Sequence, residues 1–186
     1  MIGQWRWRVA HGAALTVLVT MIGLAFWLWL QLRAYEVAAF EREAIRQATA
    51  SSISPQVVQE WQAGADSLRQ GLVELSLVTG AQVTALTTDG EFLAQSHPAG
   101  SRQNAELAAD WSTLPEVRAG MVGRDGTNTR ATDDSGETRF LVAKLVRAEG
   151  TPIGVLHFAF PRDQLLSEIA GLNRVLILGT LLATLL

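Results

Sequence analysis

Two uncharged apolar runs limit what this chain can fold into more than any other feature. The first extends from Val9 to Leu30, and the second from Val175 to Leu186, the last of the 186 residues. As a helix the first run reaches about 33 Å, enough to cross a bilayer core roughly 30 Å thick. The second covers only about 18 Å and reads as a second membrane helix that has been cut short. The expected plan is a cytoplasmic N-terminus over 1–8, a first membrane helix over 9–30, an exterior domain over 31–173 and a truncated second membrane helix over 175–186.

Orientation follows from the flanks. Arg6 and Arg8 precede the first run, and no acidic residue occurs before Glu36, so the positive-inside tendency puts the N-terminus in the cytoplasm. Trp5, Trp7, Trp27, Trp29 and Tyr35 fall near its two ends, as interfacial aromatic belts do. A cleaved signal peptide would have a shorter apolar region and a small-residue cleavage site. "LWLQLRAYE" offers none, so the run reads as an uncleaved anchor. His11 is one turn from the basic flank and within reach of the headgroups.

The stretch between the runs has the size of one domain. The chain carries 15 Lys and Arg against 18 Asp and Glu, and two of the bases precede the membrane run. The exterior part is thus mildly acidic, which argues against a nucleic-acid surface. Cysteine is absent, which removes disulfides, thiolate metal sites and cysteine nucleophiles.

Helices are expected first, over 32–79. "LRAYEVAAFEREAIRQATA" from Leu32 to Ala50 lacks Gly and Pro and reads as a helix leaving the membrane. Ser54-Pro55 supplies an N-cap and a first-turn proline, and Gly80 a left-handed stop, for one further helix to about Val78. Val58, Trp61, Ala65, Leu68, Leu72 and Leu75 recur at 3-4 spacing, and Val37, Phe40 and Ala44 share that register. Such a stripe is a helix-packing seam. Packing on the domain's own sheet is expected for Val58–Leu75, and a contact between two copies for Val37–Ala44.

Strands follow, over 81–160. "AQVTALTTDGEFLAQS" is a hairpin about Asp89-Gly90, and Thr113–Glu116 reads as a capping box opening a short helix. "GTNTRATD", "ETRFLVAKLVRA" and "TPIGVLHFAF" are three more strands, and "PRDQLLSEIAGLNR" an exit helix over 162–174. The sum is an α+β domain around one antiparallel sheet of about five strands.

No constellation supports catalysis. The loop glycines lack the Lys-Ser/Thr of a phosphate loop, and no serine sits in a nucleophile elbow. Asp133-Asp134 reads as a solvated turn pair rather than a cation site. The strands hold three basic groups: Arg130, Lys144 and His157. By period-2 alternation Lys144 shares a face with Phe140, Val142 and Val146, where an ammonium needs an anionic partner or a route to water.

"TGAQVTALTTDGEFLAQS" followed by "LPEVRAGMVGRDGTNTRATDDSGETRFLVAKLVRAEGTPIGVLHFAFPRDQL" resembles the extracytoplasmic sensor region of bacterial two-component histidine kinases of the PhoR-like type. The likeness covers roughly Val57 to Leu166. Leu114 stands where that pattern usually has arginine, and "NAELAADWST" departs from it as well. The resemblance implies a PAS/Cache-like fold between two membrane helices of the bacterial inner membrane, with residues 31–173 outside. It also implies a homodimer and a missing cytoplasmic part. ATP, Mg and a response regulator, the phosphorelay components, would belong to that part alone, and no cofactor to this region. A chemoreceptor, a cyclic-dinucleotide enzyme or a non-signalling scaffold are the other outputs such a region can serve. In Cache-type sensors the sheet face away from the long helix binds small ligands, so Arg130, Lys144 and His157 would form an anion pocket. The competing reading has Lys144 reaching water, Arg130 paired with an acid and His157 as a satisfied core group.

Overall fold

The computed structural model describes residues 2–96, 110–131 and 138–161, with side chains from residue 15 on, 18 and 131 excepted. The expected exit helix, the second apolar run, the loop after His97 and the turn at Asp134 lie outside these residues. Two compact units are present, one up to Glu43 and one from Ala44 onward.

The first unit is helical and belongs to α1 (Ile2–Ser52). It is long and apolar enough to cross a membrane. Leu15, Val17, Met21, Ile22, Leu24 and Phe26 are exposed, as side chains meant for lipid would be. Phe26 stacks on Trp29, and the Arg33 guanidinium lies 5.6 Å above the Trp29 ring. An aromatic ring under a cation suits the interface where hydrocarbon meets headgroups.

In the second unit Pro55 opens α2 (Pro55–Ala63) at its first turn, where a missing N–H costs nothing. The single helix expected from Ser54 to Val78 is instead two, α2 and α3 (Ala65–Thr79), separated by Gly64. Gly64 has φ 112° and ψ 176°, an extended conformation at positive φ that is essentially confined to glycine. Gly80 ends α3 in the left-handed region, its N–H bonded to the Ser76 carbonyl, as a glycine stop should.

The five strands are β1 (Gln82–Leu86), β2 (Phe92–Gln95), β3 (Gly126–Ala131), β4 (Thr138–Ala148) and β5 (Thr151–Pro161). They form one sheet in the order β2-β1-β5-β4-β3, with every neighbour antiparallel. Glu149 and Gly150 both take positive φ, 51° and 85°, the two-residue turn whose twist matches a hairpin. A 3-10 turn (Trp111–Thr113) leads into α4 (Pro115–Met121).

Cross-strand register assigns the two faces. Thr84, His157, Ala143 and Gly126 form one row across the sheet, and paired residues share a face. α4 packs on that face, where Leu86, Trp111, Val117, Ala143 and Val155 form a buried cluster. α4 comes so near that a Cβ on Gly120 would meet Ala143, and one on Gly126 would meet the Glu116 carbonyl. The opposite face carries Phe158, Leu156 and Val142, all fully buried. Trp61 of α2 lies against Gly154 on that side. Each such buried side chain contributes about 1.5–3 kcal/mol.

The expected seam is redistributed by the break at Gly64. Leu68 and Leu72 are buried, whereas Val58, Trp61 and Leu75 are half-buried and Val57 is the buried residue of α2. Ala44 is buried within the chain, and Val37 and Phe40 are half-buried.

Candidate functional site

The most unusual group in the sheet domain is a carboxylate with no access to water. Glu116 is the second residue of α4 and only 1% exposed. An isolated charge in such a place would be prohibitive, and its neighbours explain how it is kept. Asn128 of β3 donates through Nδ2 to Glu116 Oε2 at 3.0 Å, and Arg130 of β3 donates through Nη2 to Oε1 at 3.3 Å. His157 Nε2 of β5 lies 3.8 Å from the same Oε1, a distance for charge attraction rather than a hydrogen bond.

Strand geometry brings these groups together. Asn128 and Arg130 are two residues apart on β3 and so share its face, and the row through Ala143 carries the same face over to His157. α4 then lays its first turn over them. Burial by itself would raise the Glu116 carboxyl. The interactions with His157, with its own backbone N–H and with Asn128, together with the charge of an imidazolium, outweigh that and lower it from 4.5 to about 2. Glu116 is therefore an anion throughout the physiological range.

This placement corrects the capping-box reading of Thr113–Glu116. The N-cap of α4 is Leu114, whose side chain makes no cap bond, and Glu116 turns into the sheet. Thr113 donates its hydroxyl back to the Asp110 carbonyl, and the Asp110 carboxylate accepts from the Ser112 N–H. The turn that resembles a box by spacing is thus capped one step earlier, at the 3-10 turn.

Of the three basic residues singled out by sequence, Arg130 and His157 meet at Glu116, and Lys144 does not join them. Ala143 is the residue of β4 beside His157, so Lys144 faces the other way. Its side chain, 8% exposed, ends on the Asp125 carboxylate just before β3. The three-cation anion pocket is therefore not what the strands assemble. Instead, Arg130 and His157 flank an internal carboxylate, with Arg130 the solvent-reaching member at 42% side-chain exposure.

Trp111 stands edge-on to His157 with ring centroids 5.1 Å apart. Its Nε1 is buried without a hydrogen-bond partner, as are His157 Nε2 and Gln82 Nε2. Gln82 shares the face of Thr84 and His157 by alternation on β1, and its Oε1 accepts from Arg139 Nη1 at 2.7 Å. Buried polar nitrogens left bare are uncommon and call for an explanation. Among the described residues, no group of three or more His, Asp or Glu is arranged to hold a metal ion.

No protein-family model matches the sequence, and no curated protein does. Solved structures share the fold. The sensor domain of the V. cholerae histidine kinase DctB superposes with a TM-score of 0.62 at 14% identity, covering 74% of this chain and 55% of that one. The ligand-binding domain of the Campylobacter jejuni chemoreceptor Tlp3, in complex with 4-methylisoleucine, gives 0.57 at 15% identity, covering 74% and 57%. The E. coli DcuS sensor domain gives 0.57 at 10% identity, covering 73% and 98%. This chain thus spans a little over half the length of the DctB and Tlp3 chains and nearly all of the DcuS chain. The fold is the PAS/Cache-like fold of such sensor domains.

Proposed function

We infer that this chain is the signal-sensing input module of a membrane receptor, with a two-component histidine kinase as its output. The single observation that carries the reading is the shared fold with the DctB and DcuS sensor domains. The N-terminal helix, long and apolar enough to cross a membrane, supports anchoring in the bacterial inner membrane with the sheet domain outside. Function as a homodimer, and transmission through an exit helix after Pro161, belong to the same reading. ATP, Mg and the response regulator would act on the kinase part. The likeness to Tlp3 favours a chemoreceptor output as the second reading.

The stimulus in this account acts on the α4 face of the sheet. A small ligand rich in hydrogen-bond acceptors would satisfy the bare nitrogens of Trp111 and Gln82, and a ligand carboxylate would compete with Glu116 for Arg130. Such a ligand shifts the module only by binding one arrangement of α4 better than the other. Fusing the chain to the cytoplasmic part of a reporter kinase tests the reading. Output should change at least severalfold when Glu116→Gln loosens α4. Output indifferent to Glu116→Gln, with the domain folded, would favour a non-signalling scaffold.

A further inference from the structure

His157 and Glu116 form a pair whose attraction depends on one proton. Both are at least 97% buried, and they join elements 41 positions apart in sequence, α4 and β5. The remaining groups around the imidazole are few. β3 supplies Arg130, already bonded to Glu116, and the 3-10 turn supplies Trp111. β1 and β4 place only Thr84 and Ala143 beside it. Arg139 of β4 shares the face but bonds to Gln82. Among the described residues, Glu116 is thus the anion that faces the imidazole.

His157 Nε2 has no hydrogen-bond partner. A neutral imidazole presents Nε2 to the carboxylate either as a bare acceptor or, in its other tautomer, as an uncharged N–H too far away for a hydrogen bond. With both ring nitrogens protonated, the same 3.8 Å contact becomes a buried ion pair at low effective dielectric. We propose that protonation of His157 locks α4 onto β5 through Glu116, making the sheet domain responsive to the acidity outside the membrane. Histidine ordinarily changes charge between pH 5 and 8, the range in which an exterior domain meets changing acidity. β5 ends at Pro161, four residues beyond His157, so the lock acts on the last of the described strands. The inference rests on the sensor reading and adds to it a stimulus at the same site.

The test uses the full chain in nanodiscs. Amide exchange of residues 115–121, corrected for the intrinsic pH dependence of exchange, is followed from pH 8 to pH 5.5. Imidazole nitrogen shifts are followed by NMR over the same range, with His157 assigned by the signal lost in His157→Gln. Linkage allows up to a tenfold change in docking per pH unit across the titration. The expected result is at least threefold greater protection of α4 at pH 5.5 than at pH 8, following the His157 titration. That difference should vanish in His157→Gln and in Glu116→Gln. An imidazole at 157 that does not titrate in this range overturns the proposal, as does protection indifferent to pH in the unsubstituted chain. The pH dependence of protection in the unsubstituted chain is read without any variant. A His157→Gln chain that keeps the full pH effect overturns it as well. The reporter-kinase fusion separates this failure from failure of the sensor reading, because loss of pH dependence alone leaves the output response to Glu116→Gln intact.

Discussion

Among single residues, Glu116 decides how the α4 face of the sheet is held. Its folded-state carboxyl lies about 2, below the 4.5 it has when exposed, so the native state favours the ionised form. That contribution to stability is complete above about pH 4.5 and is lost as pH falls towards 2. Denaturant titrations of the full chain should therefore show stability dropping between pH 5 and 2, more steeply than in Glu116→Gln. Near pH 6 the same substitution should cost about 1–3 kcal/mol, because it removes the carboxylate that accepts from Asn128 and Arg130. Sequence hid this residue behind a plausible capping box: spacing reveals which backbone N–H a side chain can reach, but not that the helix will be laid against a strand. Arg130 and His157 stood out in sequence as polar groups within strands, and they are two of the partners of Glu116. Lys144 stood out for the same reason and meets Asp125 on the other face. Which of Ala143 and Lys144 stands beside His157 is a matter of register, and a one-residue shift exchanges the faces.

At the element scale, turn chemistry was the most legible part of the chain. Gly80, Asp89-Gly90 and Glu149-Gly150 sit where positive φ is needed or strands reverse. Gly64 was not legible as a break, because the 3-4 apolar spacing runs across it without interruption. No atom would crowd a Cβ at Gly64, so its requirement is one of backbone conformation alone. Gly64→Ala should cost about 1–3 kcal/mol through strain, measured as a shift in unfolding midpoint. Gly126→Ala should cost a similar amount for the opposite reason. A methyl there would push against the Glu116 backbone and lift α4 from the sheet. The two variants are told apart by exchange of α4 amides, which only Gly126→Ala should accelerate.

Across the whole sheet, one face is apolar core and the other combines an apolar cluster with a charged centre under a seven-residue helix. Phe158, Leu156 and Val142 on the first face give the domain its stability through apolar burial. On the second, the short helix α4 is tied by Glu116 to β3 and β5, so an event at one carboxylate reaches strands at the centre and the edge of the sheet. One face is held by apolar packing, and the other by an apolar cluster and a charged centre together. A double-mutant cycle on Glu116→Gln and His157→Gln, measured by reversible unfolding of the full chain at pH 6, tests this most directly. A coupling energy of about 1–3 kcal/mol between the two positions is expected. Additivity to within about 0.3–0.5 kcal/mol, the behaviour of independent sites, would contradict it.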